Sequence, residues 1–245
     1  EVGPVVAQNI FFYVIAAVMI GSAVVVVTSR NVVHSALALV VVFGGFVNAA
    51  GMIAPMRAVQ TWVAHALGLH SELALWTLFL LAGLLAAPAL LVGATAAASA
   101  ALGGGTLPAG RNLMRFGYGL APVGFGMWLA HYGFHFLASG LALVPVLQRA
   151  AGDLGLPAGP PDWSRGALVP DGLLVPIELV LLEAGLLGSI VVFHYISRSV
   201  YGSRGVARRA FVPWMLLAIG LAAAGAWIMT QPMAMRGMMM PGMEM

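Results

Sequence analysis

The chain has 245 residues, of which 61% are hydrophobic and 8% charged, against about a quarter charged in a soluble globular domain. That excludes a water-soluble fold and predicts an all-α integral membrane protein, since spans of about 20 apolar residues consume such a composition directly. The absence of cysteine excludes disulfides and any iron–sulfur cluster held by this chain, and a net charge of +3 carried by 11 arginines, mostly in short loops, reads as topology-setting charge with no nucleic-acid partner.

In chain order, six apolar runs are long enough to span: residues 9–28, 33–54, 73–101, 114–147, 173–197 and 208–230. The first two form a hairpin within 1–54 that turns at Arg30 and Asn31, with His34 opening the second helix as a helix-end hydrogen-bonding group. Segment 55–71 follows. There, MRAVQTWVAHALGLH from Met56 to His70 predicts a short amphipathic helix lying in the membrane interface, with His65 and His70 at headgroup level. Residues 72–230 form a four-helix membrane region whose third run contains Pro88 and whose fourth contains Pro122 and Pro145, so kinks or a broken helix are expected there. Turn chemistry predicts loops at 103–111 and at 148–172, the latter carrying Pro157, Pro160, Pro161 and Pro170. A Met-rich tail, 231–245, closes the single polytopic domain. No internal repeat is visible, which argues against a transporter built from duplicated halves.

Alternating loops sort the arginines. One side collects Arg30, Arg111, Arg115, Arg198, Arg204, Arg208 and Arg209 with no acidic residue; the other mixes Arg57, Arg149, Arg165 and Arg236 with Glu1, Glu72, Asp153, Asp162, Asp171 and Glu244. By the positive-inside rule the first side is cytoplasmic, and both termini are extracytoplasmic. The cluster Arg198, Arg204, Arg208 and Arg209 is also placed to meet anionic lipid headgroups or an acidic partner.

Ionisable side chains at membrane depth cost about 2.5–3.5 kcal/mol each and require a partner or a function. His131 and His135, four apart in HYGFH, share one face of the fourth span, while Glu178 and Glu183 lie in the antiparallel fifth. This orientation lets His131 reach the depth of Glu183 and His135 that of Glu178. Three readings are open: a transition-metal site, a proton relay, or hydrogen bonds that join two helices. Stacked on one face, the two histidines cannot ligate opposite sides of one haem, and His194 lies at another depth, which argues against haem. In the tail, Met233, Met235, Met238, Met239, Met240 and Met243 offer soft thioethers suited to copper, or an adaptable apolar contact for a partner.

Two resemblances extend this reading. FFYVIAAVMIGSAVVVVTSRNVVHSALALVVVF, from Phe11 to Phe43, resembles the N-terminal hairpin of the complex I membrane subunit NuoJ, whose N-terminus is also outside. In that family the third helix carries a π-bulge at a Tyr-Ala-Gly-Ala motif, which this chain lacks. From about Phe46 to Gly237, APVGFGMWLAHYGFHFL (Ala121 to Leu137) and QPMAMRG (Gln231 to Gly237) resemble the membrane portion of bacterial membrane-bound 4Fe-4S polyferredoxin-type proteins, without their cysteines. Together they imply a multi-pass protein of the bacterial inner (cytoplasmic) membrane. Its function would be that of a cluster-free subunit of a respiratory or electron-transfer complex, contacting lipids and other membrane and redox subunits, with no intrinsic enzymatic activity and with a His/Glu proton path. The alternative is a membrane copper protein using the intramembrane His/Glu set and the Met tail.

Overall fold

A computed structural model of the chain describes residues 32–157, 159–163 and 166–232. The first expected span, 9–28, and the methionines from Met233 onward lie outside the described residues. Within them the elements in order are α1 (Val32–Gly51), α2 (Ala54–Leu67), α3 (Glu72–Leu81), α4 (Ala87–Leu102), α5 (Ala109–Phe116), α6 (Ala121–Ser139), α7 (Leu143–Asp153), α8 (Asp171–Val200) and α9 (Arg204–Met229). Helical turns link α3 with α4 and α5 with α6 and α7, giving four helical stretches among the described residues, Glu72–Leu102, Ala109–Asp153, Asp171–Val200 and Arg204–Met229, that are long and apolar enough to cross a membrane. These coincide with the last four expected runs. The run at 33–54 forms α1, which packs against α6 and the α3–α4 junction.

The prolines act where the sequence placed them, by three different accommodations. Proline lacks an N–H and its ring clashes with the carbonyl four residues back. Ahead of Pro88 the helix widens into a π-turn, Ala82–Ala86, in which the Ala87 N–H bonds back to the Ala82 carbonyl. The π-turn thus forms in the third span without the Tyr-Ala-Gly-Ala motif, and its Gly83 sits so close to Val47 of α1 that a Cβ would not fit. Pro122 falls in the first turn of α6, after a tight 3-10 turn at Gly117–Leu120. Pro145 follows a second 3-10 turn, Gly140–Ala142, which breaks the helix.

That second break would leave backbone groups orphaned at membrane depth, which is costly. The loop supplies their partners: the Leu168 N–H donates to the Leu137 carbonyl at 2.7 Å, and the Leu141 N–H donates to the Gly166 carbonyl at 3.1 Å. The expected loop over 148–172 is accordingly shorter at both ends, because α7 runs on to Asp153 and α8 begins at Asp171. Helix propensity in LQRAAGD outweighs the turn signals there.

The core is the α6–α8–α9 contact. Between two apolar helices in lipid, association depends on close packing, so small residues line the seam. A Cβ on Gly126 would stand 2.8 Å from the Leu181 carbonyl oxygen and 3.0 Å from the Gly185 Cα. Four residues back from Gly126, the Pro122 carbonyl is pressed against Gly185 and the Pro122 ring against Gly188. In the first turn of α6, the Val123 N–H donates to Ser189 Oγ of α8 at 3.0 Å. Helix α9 enters at Gly225, where both Met127 and Leu182 press against the position a Cβ would take.

Candidate functional site

Two buried polar clusters occupy opposite ends of this core. At the arginine end, Asn112 of α5 is fully buried. Its amide donates to Ser99 Oγ at 2.9 Å and to Tyr201 Oη at 3.3 Å, and its carbonyl oxygen accepts from Trp214 Nε1 at 2.9 Å. Ser99 in turn donates to the Ala210 carbonyl at 2.7 Å. Below them Phe116 stacks on Trp214, with ring centroids 5.6 Å apart and an interplanar angle of 11°. Burial pushes the Tyr201 phenol above its ordinary value, against the opposing effect of its hydrogen bonds to Asn112 and Ser99. The network ties α4, α5, α9 and the end of α8 together. None of its members stood out in the sequence, since isolated Ser, Asn, Tyr and Trp near helix ends carry no spacing signal.

The other cluster contains the residues that the sequence singled out. The α6–α8 register decides their depth. Gly126 faces Gly185; seven residues, about two turns, along each helix from that point lie Gly133 and Glu178, on the same faces and therefore level with one another. Glu178 thus stands between the levels of His131 and His135. Glu183 does not: it lies level with Trp128 and is exposed on the outer side of α8. The expected pairing of His131 with Glu183 is therefore replaced by a His131–Glu178 layer, because close packing of the glycines sets a register that charge spacing could not reveal.

Met127 and Leu182 meet at Gly225; one turn further toward the far end come His131 on α6, Glu178 on α8 and Met229 on α9, all buried. His131 is 1% exposed and Glu178 2%. Neither ring nitrogen of His131 has a hydrogen-bond partner among the described residues. An unpaired polar group in such a place is costly. The His131 ring instead packs edge-on against His135, with centroids 5.2 Å apart, and against Tyr132 at 5.0 Å. The i, i+4 stacking expected from HYGFH is present. Tyr132 continues the cluster toward α1, where Asn48 donates to its Oη at 2.6 Å. His135 is half-buried.

Among the described residues no group of three or more His, Asp or Glu converges on a point where it could hold a metal ion. A copper cage of two imidazoles and a carboxylate is thus not what His131, His135, Glu178 and Glu183 form. Arg198, Arg204, Arg208 and Arg209 are all exposed around the α8–α9 turn, and His65, His70 and His194 are exposed as well. No protein-family model matches the chain, and neither does any curated protein or solved structure.

Proposed function

We propose that this chain is a cluster-free, integral-membrane subunit of a bacterial respiratory or electron-transfer complex, and that its His131–Glu178 layer, extended by His135, conducts protons. The observation that carries this reading is His131: enclosed by the core, yet hydrogen-bonded to no described residue through either ring nitrogen. A histidine recruited to join helices would use at least one nitrogen for that purpose. Imidazole can accept a proton at one ring nitrogen and release one from the other, and the carboxylate of Glu178 stands at the adjacent level, which suits stepwise transfer along the helix axes.

Three further features support the assignment. The π-turn at Ala82–Ala86 lies in the third apolar run after the start of the NuoJ-like hairpin, and π-turns recur at functional positions. With no cysteine in the chain, cluster chemistry belongs to partner subunits. The helix Glu72–Leu102 is only 6% buried within its most apolar window, which leaves a long apolar flank for lipid or neighbouring membrane subunits. In this orientation the exposed Arg198, Arg204, Arg208 and Arg209 face the cytoplasm, where anionic headgroups or an acidic partner would meet them.

The test is purification from native membranes in mild detergent, followed by proteoliposome assays of protons moved per electron pair. The expected result is co-purification with cluster-bearing subunits and a lowered proton ratio in Glu178→Gln and His131→Phe assemblies that still transfer electrons. Recovery of the chain alone, or an unchanged ratio in both variants, would overturn the reading.

A further inference from the structure

Three helices carry arginines to one end of the bundle, and a shared aromatic layer fixes their depth. Phe116 of α5, Phe193 of α8 and Trp214 of α9 are fully buried and pack ring against ring, with centroids 5.6 to 6.4 Å apart. Counted outward from that layer, Arg111, Arg198 and Arg209 each lie five residues along their own helix, about 7.5 Å at 1.5 Å per residue. Helices α5 and α9 begin at this end and α8 finishes there, so the three arginines reach one level. Arg208 stands beside that level, Arg204 beyond it, and Arg115 next to the aromatic layer; all six are exposed.

No carboxylate answers them. Glu72 and Asp153 are successive acidic residues along the chain, and so are Glu183 and Glu244, which leaves no acidic side chain among the described residues outward of the aromatic layer. The hydrogen bonds of Asn112 to Ser99, Tyr201 and Trp214 meanwhile hold these helix ends together. Six like charges are thus fixed at one end of the bundle, where anions would offset their mutual repulsion.

The faces that carry the arginines identify the anion. On α8, Val191 (66% exposed), Tyr195 (74% exposed) and Arg198 follow one another at i, i+4 and i+7. From the middle of the helix outward this is an aliphatic, then an aromatic, then a cationic side chain, the order of hydrocarbon, interface and headgroup in a bilayer. On α5, exposed Met114 and Tyr118 lie at i+3 and i+7 from Arg111, and on α9, exposed Leu216 lies at i+7 from Arg209. An acidic protein in the aqueous phase would meet the guanidinium groups and leave these apolar neighbours uncovered. A phospholipid covers both, with its phosphate on the arginine fork and its acyl chains along the flank.

We propose that the arginine level formed by Arg111, Arg198 and Arg209 binds anionic phospholipid, the headgroup phosphate on the guanidinium groups and the acyl chains on the exposed apolar residues inward of them. The proposal takes from the function proposed above only that the helices span a bilayer, so its failure would leave the proton path standing.

The test uses the full-length protein in nanodiscs of phosphatidylglycerol and phosphatidylcholine, mixed in equal amounts with matched acyl chains. Lipid retained after mild delipidation is counted by native mass spectrometry. Wild type is expected to retain phosphatidylglycerol over phosphatidylcholine by about five-fold or more, the effect of at least one arginine at the membrane surface. The triple variant Arg111→Gln/Arg198→Gln/Arg209→Gln, with its fold checked by circular dichroism, is expected to lower the ratio to below about two-fold. Arg57→Gln/Arg149→Gln, which removes two exposed arginines from the opposite end, is expected to keep the wild-type ratio. Equal retention of the two lipids by wild type would overturn the proposal and leave an acidic protein as the occupant. So would a ratio unchanged in the triple variant, or one lowered as much in Arg57→Gln/Arg149→Gln, which would reduce the effect to net charge. Displacement of phosphatidylglycerol by inorganic phosphate, beyond that caused by chloride at the same ionic strength, would also overturn it, since free phosphate has the charge without the acyl chains. Should the triple variant not fold, Arg198→Gln/Arg209→Gln answers the same question.

Discussion

The two polar clusters of the α5–α9 bundle are built from similar materials under similar burial, yet only one is satisfied. At the arginine end, Asn112 uses both its amide and its carbonyl oxygen, and Ser99, Tyr201 and Trp214 are drawn into one network. At the opposite end, His131 is as deeply enclosed and bonds to no described residue through either nitrogen. A satisfied network contributes to holding helices in place; an unsatisfied histidine is a cost the fold carries for another reason. Satisfied and unsatisfied burial are thereby separated along the bundle axis, the first at one end and the second at the other.

The comparison breaks most readily at Asn112. Asn112→Leu removes three side-chain hydrogen bonds at once and leaves the Trp214 indole N–H without its acceptor. At the roughly 0.6–1 kcal/mol measured per such bond within membranes, the loss should be about 2–3 kcal/mol in detergent unfolding. A change below about 0.5 kcal/mol would mean that the arginine-end network is not structural.

Ser189→Ala should have a smaller effect, about 1 kcal/mol, because it removes only the acceptor of the Val123 N–H while leaving the glycine seam intact. Unfolding measured alongside Asn112→Leu should show additive losses, since the two sites share no partner.

His131→Phe sharpens the contrast by its lack of effect. No hydrogen bond to a described residue is lost and an unsatisfied ring is replaced by an apolar one, so stability should stay within about 0.5 kcal/mol of wild type or rise. Destabilisation of about 2 kcal/mol would show that His131 does structural work, and would remove the main support for its role in proton transfer.

Much of this architecture was legible in the sequence because long apolar runs have few alternatives in a bilayer: every backbone group must be bonded within the segment, so each run becomes a helix. The limits 73–101, 173–197 and 208–230 fall within a few residues of the helices Glu72–Leu102, Asp171–Val200 and Arg204–Met229. The stacking of His131 on His135 was likewise readable, because i, i+4 spacing is a local property. The Asn112 network was not, because its members come from four elements and meet only when the helices pack. Nor was the retreat of Glu183 to the surface of α8, since two glutamates five residues apart point to different faces and the sequence does not say which face meets α6.

Composition and long apolar runs alone determined that this protein is an all-helical, multi-pass membrane chain without cysteine chemistry, and where three of its four long helices lie to within a few residues. Tertiary structure decided which polar groups are partnered. That choice depends on inter-helix register, set within a fraction of a turn by Gly126 and Gly185, where a single added methyl group would run into the facing backbone and force the helices apart. From that register follow the His131–Glu178 layer and the exposure of Glu183.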